Sequence, residues 1–197
     1  LSAEITKRGA FSKKWYHVDQ SYTRSGFEAV QSWITAFDVN EGDATLAFLE
    51  GSHKFHQETQ EAFEINDRTD WYKLSEVEIE FYKNNECEEK KIVCPAGSLV
   101  LWDRRLVHCG VQHMKNREKP NFRCVAYICM TPRTHATEAN LKKKRIAFEN
   151  MRMTSHWPYK PKLFPVYPRT YGATLPKICS LPAPILNELG KRLAGFS

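Results

Sequence analysis

Short apolar runs separated by polar turns fill the first two thirds of the chain. Residues 15–19, Trp-Tyr-His-Val-Asp, read as a strand, and residues 29–39 as a longer one whose bulk comes from Val30, Trp33, Ile34 and Phe37. Asn40-Glu-Gly-Asp has turn chemistry, and a strand over 45–49 follows and ends at Gly51. Residues 54–70 are polar and aperiodic, which suggests a lid or insert. Two readings stand after Ser75. Ser75 and Glu78 fit a capping box opening a short helix, whereas Val77, Ile79 and Phe81 also alternate as in a strand. A short strand over 91–94 and a Pro95-Ala-Gly97 turn lead into residues 99–102, an apolar run expected to be buried on both faces. Residues 124–130 form a second such run. Many short strands punctuated by Gly and Pro imply a sandwich or barrel.

The pattern changes after Pro132. Residues 136–151 place Leu141, Phe148 and Met151 on one helical stripe, with 142–145 solvated. Pro158, Pro161, Pro165, Pro168 and Pro176 then oppose regular structure, and a last helix over 183–193 carries Ile185, Leu186, Leu189 and Leu193. Residues 1–132 are therefore expected to form the core domain and 133–197 a helical, Pro-rich extension packing on it. Charge divides at the same place. Residues 133–197 hold 12 Lys and Arg against 3 Asp and Glu, while residues 1–132 hold 17 against 20, giving the net +6. A basic tail is a solvated surface or a site for an anionic partner, meaning a CoA-linked or phosphorylated small molecule or nucleic acid.

No run of eighteen apolar residues is present, so no membrane span is expected. The opening Leu1-Ser-Ala-Glu lacks the features of a signal peptide. The six cysteines form no C-x-x-C pair, which disfavours a structural zinc site and fits a reducing, intracellular and cytoplasmic setting.

The candidate chemistry starts at His17 and Asp19. Two residues apart on a strand, they face the same way and offer an imidazole and a carboxylate, two of the three groups of a non-haem iron facial triad. By itself His-x-Asp also describes a solvated surface pair. A third ligand has to come from far along the chain, and His108 is the candidate, in Gly97-Ser-Leu-Val-Leu-Trp-Asp-Arg-Arg-Leu-Val-His108-Cys-Gly. His53 closes a Gly-Ser-His turn. His56, His113, His135 and His156 sit among polar residues and read as surface groups, and Asp103 as a supporting or strand-end residue.

Four blocks follow His17-x-Asp19 in order: Gln31-Ser-Trp33, Asn40-Glu-Gly-Asp-Ala-Thr-Leu46 running on to Gly51-Ser52-His53, the His108 block, and Asn121-Phe-Arg123. With them, residues 15–132 resemble the phytanoyl-CoA dioxygenase family of Fe(II)/2-oxoglutarate oxygenases. The resemblance implies a double-stranded β-helix, the cupin-like jelly roll. It implies metal ligation by His17, Asp19 and His108, and a C–H hydroxylation that consumes 2-oxoglutarate and O2 and releases succinate and CO2. Arg123 is then the residue for the distal carboxylate of 2-oxoglutarate, by the bidentate match of guanidinium and carboxylate. Arg117, in the insert over 112–120, is a second candidate. Trp33 matches a tryptophan near the co-substrate, with plain core packing an equal reading, and Thr35 and Thr45 are further possible donors. Gly110 stands where the family has serine. Family members carry a longer segment before His-x-Asp, so a chain lacking part of its N-terminal portion is expected. Retention of Asp19 argues against a halogenase. Oxidation of a nucleic-acid base, a non-catalytic jelly-roll binding module and a zinc-loaded hydrolase or isomerase are the competing readings.

Overall fold

The alternating segments pair into two antiparallel sheets, which a computed structural model describes over residues 14–115, 121–165 and 182–196. In chain order the elements are β1 (His17–Val18), β2 (Val30–Thr35), β3 (Thr45–Leu49), α1 (His56–Ala62), β4 (Tyr72–Lys73), α2 (Glu76–Asn84), β5 (Glu89–Lys91), β6 (Leu99–Asp103), β7 (His108–Val111), β8 (Val125–Met130), α3 (Glu138–Glu149) and α4 (Glu188–Ala194). One sheet has the order β4-β1-β7-β3-β5 and the other β6-β2-β8. Two units result, residues 1–128 and 129–197. No helix among the described residues is long and apolar enough to cross a membrane.

Alternation along β3 shows how the first unit is layered. Ala47 and Leu49 join Tyr16, Val18, Val107 and Cys109 in a buried cluster that also takes in Tyr82 of α2. Leu46 points the other way, into a cluster with Trp33, Trp102 and Val125 from the smaller sheet. The larger sheet therefore has helices on one face and the smaller sheet on the other, and both clusters bury the apolar half of a period-2 strand.

The helix reading after Ser75 holds. The Ser75 hydroxyl accepts from the Glu78 amide at 3.3 Å while the Glu78 carboxylate accepts from the Ser75 amide at 2.6 Å, closing the capping box that opens α2. The segment 54–70, expected to be a lid or insert, contains α1. Two expectations need correction. β6 is buried on one face only, since Leu101 is 53% exposed and Leu99 is exposed too, while on β8 the neighbours Tyr127 and Ile128, which point to opposite sides, are both exposed, so beyond Val125 neither face of that strand is core. On α4, Leu189 and Leu193 are exposed, as is Ile185 ahead of it, so its stripe is not core. The reading of residues 166–181, with Pro168 and Pro176, lies outside the described residues.

His56 also departs from the surface reading, being only 2% exposed. Its ring stacks on Tyr22 with centroids 4.4 Å apart, and its Nε2 lies 3.2 Å from the Gln20 carbonyl. Burial, the largest cause, pushes the imidazole pKa down to about 4. The folded value is below that of the unfolded chain, so the unfolded state takes up the proton first as pH falls. His56 is thus expected to leave stability intact above about pH 6.5 and to remove roughly 3 kcal/mol by about pH 4. Urea midpoints between pH 7.5 and 4.5 measure this; a His56→Gln protein with the same slope as wild type would rule His56 out as its source.

Candidate metal centre

β1 contributes only two residues, yet its flanking positions set the site. Val18 is fully buried in the cluster on the helix side, so His17 and Asp19 on either side of it turn toward the smaller sheet. β7 runs antiparallel beside β1 with His17 opposite His108. Val107 and Cys109 flank His108 and join the same cluster as Val18, which sends His108 to the same face as His17 and Asp19.

The three side chains are buried, and ligand atoms from each lie within 4.8 Å of one another. His108 Nε2 is 3.3 Å from Asp19 Oδ2 and His17 Nε2 is 3.8 Å from Asp19 Oδ1. The two imidazole rings are 4.3 Å apart. On the far side of each ring Nδ1 meets a backbone carbonyl two residues back, Leu106 at 2.8 Å for His108 and Trp15 at 3.3 Å for His17. A carbonyl can only accept, so in the neutral ring Nδ1 carries the proton and Nε2 turns its lone pair toward Asp19. Two neutral nitrogens and one carboxylate converging in this way form a donor set suited to a divalent transition metal. Among the described residues it is the one convergent group of three or more His, Cys, Asp or Glu side chains.

Two residues that support Asp19 were not foreseen from the sequence. Gln31, on β2, donates from Nε2 to Asp19 Oδ2 at 2.9 Å. Arg104 is fully buried, and its Nη2 donates to the Asp19 carbonyl at 2.6 Å while its own carbonyl accepts from the Asp19 amide at 3.1 Å. A buried arginine next to an exposed-looking Asp103-Arg105 pair carries no distinguishing sequence signal. Gln31 had one, since it shares a strand face with Trp33.

Arg123 lies just before β8, partly buried, with its Nη2 donating to the Tyr127 hydroxyl at 3.2 Å. Trp33 is buried in the inner cluster, and its Nε1 has no hydrogen-bond partner among the described residues. Thr35 gives its hydroxyl proton to the Phe37 carbonyl at 2.6 Å and Thr45 to the Ile92 carbonyl at 2.9 Å. Both hydroxyls are thus given to main-chain carbonyls. Asp103 pairs with Arg105 at 2.7 Å in the turn after β6. A Cβ at Gly110 would meet the Trp15 ring at 3.6 Å, an ordinary contact distance, so the indole lies beside this position. Arg117 lies outside the described residues.

Two histidines and an aspartate on the inner face of paired antiparallel sheets define the class, a candidate non-haem metal centre. The chain belongs to the phytanoyl-CoA dioxygenase family, an oxygenase family: the model described as "Phytanoyl-CoA dioxygenase (PhyH)" matches residues 3–117, which include all three candidate ligands. The chain is also similar to "Ava biosynthesis cluster protein O" of Aspergillus versicolor, with 27% identity over 154 residues, 74% of this chain and 49% of the relative. It spans about half the length of that curated relative.

Removing the Arg104 side chain leaves the buried Asp19 carbonyl without its charged donor. Arg104→Met is expected to cost about 2 kcal/mol in chemical unfolding, with Arg104→Lys intermediate. A neutral result for Arg104→Met would mean that the clamp adds nothing to the fold.

Proposed function

We propose that the chain is an Fe(II)/2-oxoglutarate-dependent dioxygenase on a double-stranded β-helix, hydroxylating a C–H bond of a small molecule. The observation that carries this reading is the convergence of His17 Nε2, His108 Nε2 and the Asp19 carboxylate on one buried point. The donor set fits ferrous iron, since neutral imidazoles suit it and one carboxylate leaves a net positive charge that favours an anionic co-substrate. When bound, Fe(II) with 2-oxoglutarate supplies the oxidising power by which O2 delivers one atom to substrate as hydroxyl and the other to succinate, with loss of CO2.

The protein's own groups then orient and exclude. Gln31 fixes the Asp19 carboxylate by occupying one lone pair of Oδ2. The Leu106 and Trp15 carbonyls keep the imidazole protons on the outer nitrogens. The Trp33 and Trp102 indole N–H groups are buried, with no acceptor among the described residues. Their strands are paired, with Gln31 opposite Trp102. Buried donors ordinarily have partners, so these two support a place for an oxygen-bearing co-substrate on the inner face. Arg123 keeps donors beyond its one bond to Tyr127 and is our candidate for the distal carboxylate. An anionic or CoA-linked substrate draws support from the second unit, where Arg133, Lys144 and Arg192 line a cavity of about 470 Å³ together with Leu141 and Leu189.

Anaerobic addition of Fe(II) and then 2-oxoglutarate is expected to raise a weak visible charge-transfer band, absent in Asp19→Ala. Gln31→Leu is expected to weaken Fe(II) binding by about ten-fold or more, because carboxylates at metal sites depend on the groups that hold them. No band in the wild-type protein, or full activity with zinc and without O2, would overturn the assignment.

A further inference from the structure

Next to the candidate ligands lies an aromatic feature that metal binding does not require. Trp15 lies flat on the His17 imidazole, centroids 4.7 Å apart and planes 2° apart. Trp71 leans on the same imidazole at 5.5 Å with a tilt of 36°, and the two indoles are 6.4 Å apart. Trp71 is nonetheless 47% exposed, and its φ is +69°. A bulky residue in the left-handed region is a true outlier, and holding it there costs conformational free energy. The exposed indole forgoes much of the burial that could offset that cost.

The surrounding chain is built to keep Trp71 in place. Asp70 accepts from the Ser21 amide at 3.1 Å and pairs with Arg24, so the residue before Trp71 is tied to the loop that follows Asp19. The Ser21 hydroxyl donates to the Asp67 carbonyl at 2.7 Å, adding a second tie. Tyr72, the residue after Trp71, pairs with Val18 across β4 and β1. The strained turn is thus fastened on one side to the strand that bears His17 and on the other to the segment leaving Asp19. A residue that served only to shield His17 from water would gain from deeper burial and from a relaxed backbone. Trp71 has neither.

We propose that Trp71, backed by Trp15, is a stacking platform for a planar aromatic or heteroaromatic substrate, whose ring lies against the exposed indole and carries a C–H bond to the metal centre. This substrate class rests on the dioxygenase reading above. Offset stacking on indole selects flatness and π character without any charged partner. A saturated ring of equal polarity offers no such face.

The test uses the protein with Fe(II) and 2-oxoglutarate under anaerobic conditions, titrated calorimetrically with naphthalene-2-carboxamide and with its saturated counterpart, decahydronaphthalene-2-carboxamide. The planar probe is expected to bind about five-fold or more tightly than the saturated one. Trp71→Gly separates presentation from packing, because glycine adopts positive φ without strain. That variant is expected to keep or raise the thermal midpoint while losing the preference for the planar probe, and Trp71→Phe to keep part of it. Equal binding of the two probes, an undiminished preference in Trp71→Gly, or a clear fall in its thermal midpoint would each overturn the platform. Failure of the dioxygenase reading shows separately, as a wild-type protein without a charge-transfer band, and probe titration of the metal-free protein still reads the platform.

Discussion

The pairing of two short strands, with His17 opposite His108, is the constraint on which the site depends. Period-2 geometry makes register an all-or-none matter: a slip of one residue would put Val18 on the inner face and carry His17 and Asp19 to the helix side. A two-residue strand has few ladder bonds to resist such a slip, so its register comes from elsewhere. Val18 is fully buried among Val107, Cys109 and Leu49, worth about 1.5–3 kcal/mol for a side chain of its size. On one side the Leu74 amide donates to the Tyr16 carbonyl at 2.9 Å. On the other, Arg104 grips both backbone groups of Asp19. The face bearing the candidate ligands is thus held by contacts made just beyond the strand itself.

The loop leaving Asp19 pairs most of its buried polar groups, each of which is costly when unpaired, Gln20 Oε1 being without a hydrogen-bond partner among the described residues. Gln20 Nε2 donates to the carbonyls of Arg24 at 3.0 Å and Gly26 at 2.9 Å, folding the loop over its own side chain. Its main-chain carbonyl faces His56, whose low pKa keeps that imidazole neutral through the physiological range. Ser21 reaches across to Asp67 and Asp70. Loop, α1 and the strained turn at Trp71 are thereby coupled, and a substitution in any of them reaches the neighbourhood of His17.

Much of the site was legible because its signal is local or ordered. His-x-Asp on an aromatic, β-branched strand fixes two side chains to one face, and the block order around Trp33, Gly51 and His108 supplied the distant partner. Ser75 with Glu78 marked a helix start, and the capping chemistry outweighed the alternation of Val77, Ile79 and Phe81. What was not legible depends on who faces whom across the fold. Leu99, Leu101, Tyr127 and Ile128 look like core by composition, and only the tertiary cover each strand face receives in the fold leaves them exposed. Arg104 and His56 look like surface, and only tertiary partners account for their burial. Trp71 gave no signal, since a left-handed tryptophan is a property of the closed turn and not of the residues around it.

The two sheets divide the work unequally. His17 and His108 stand on the five-stranded sheet and Asp19 directly follows its strand β1; the outer face of that sheet is packed with Tyr82, Ile65 and Leu74. The three-stranded sheet contributes no ligand but brings Gln31 to Asp19, the Trp102 ring to within 5.7 Å of the His108 ring, and the buried Trp33 indole. A ligand shell tolerates little displacement, because distances must hold to a few tenths of an ångström, and it sits on the sheet with cover on both faces. Gln31, which holds the Asp19 carboxylate, comes instead from the smaller sheet, so the geometry of the candidate centre depends on how the two sheets pack as well as on the sheet that carries it.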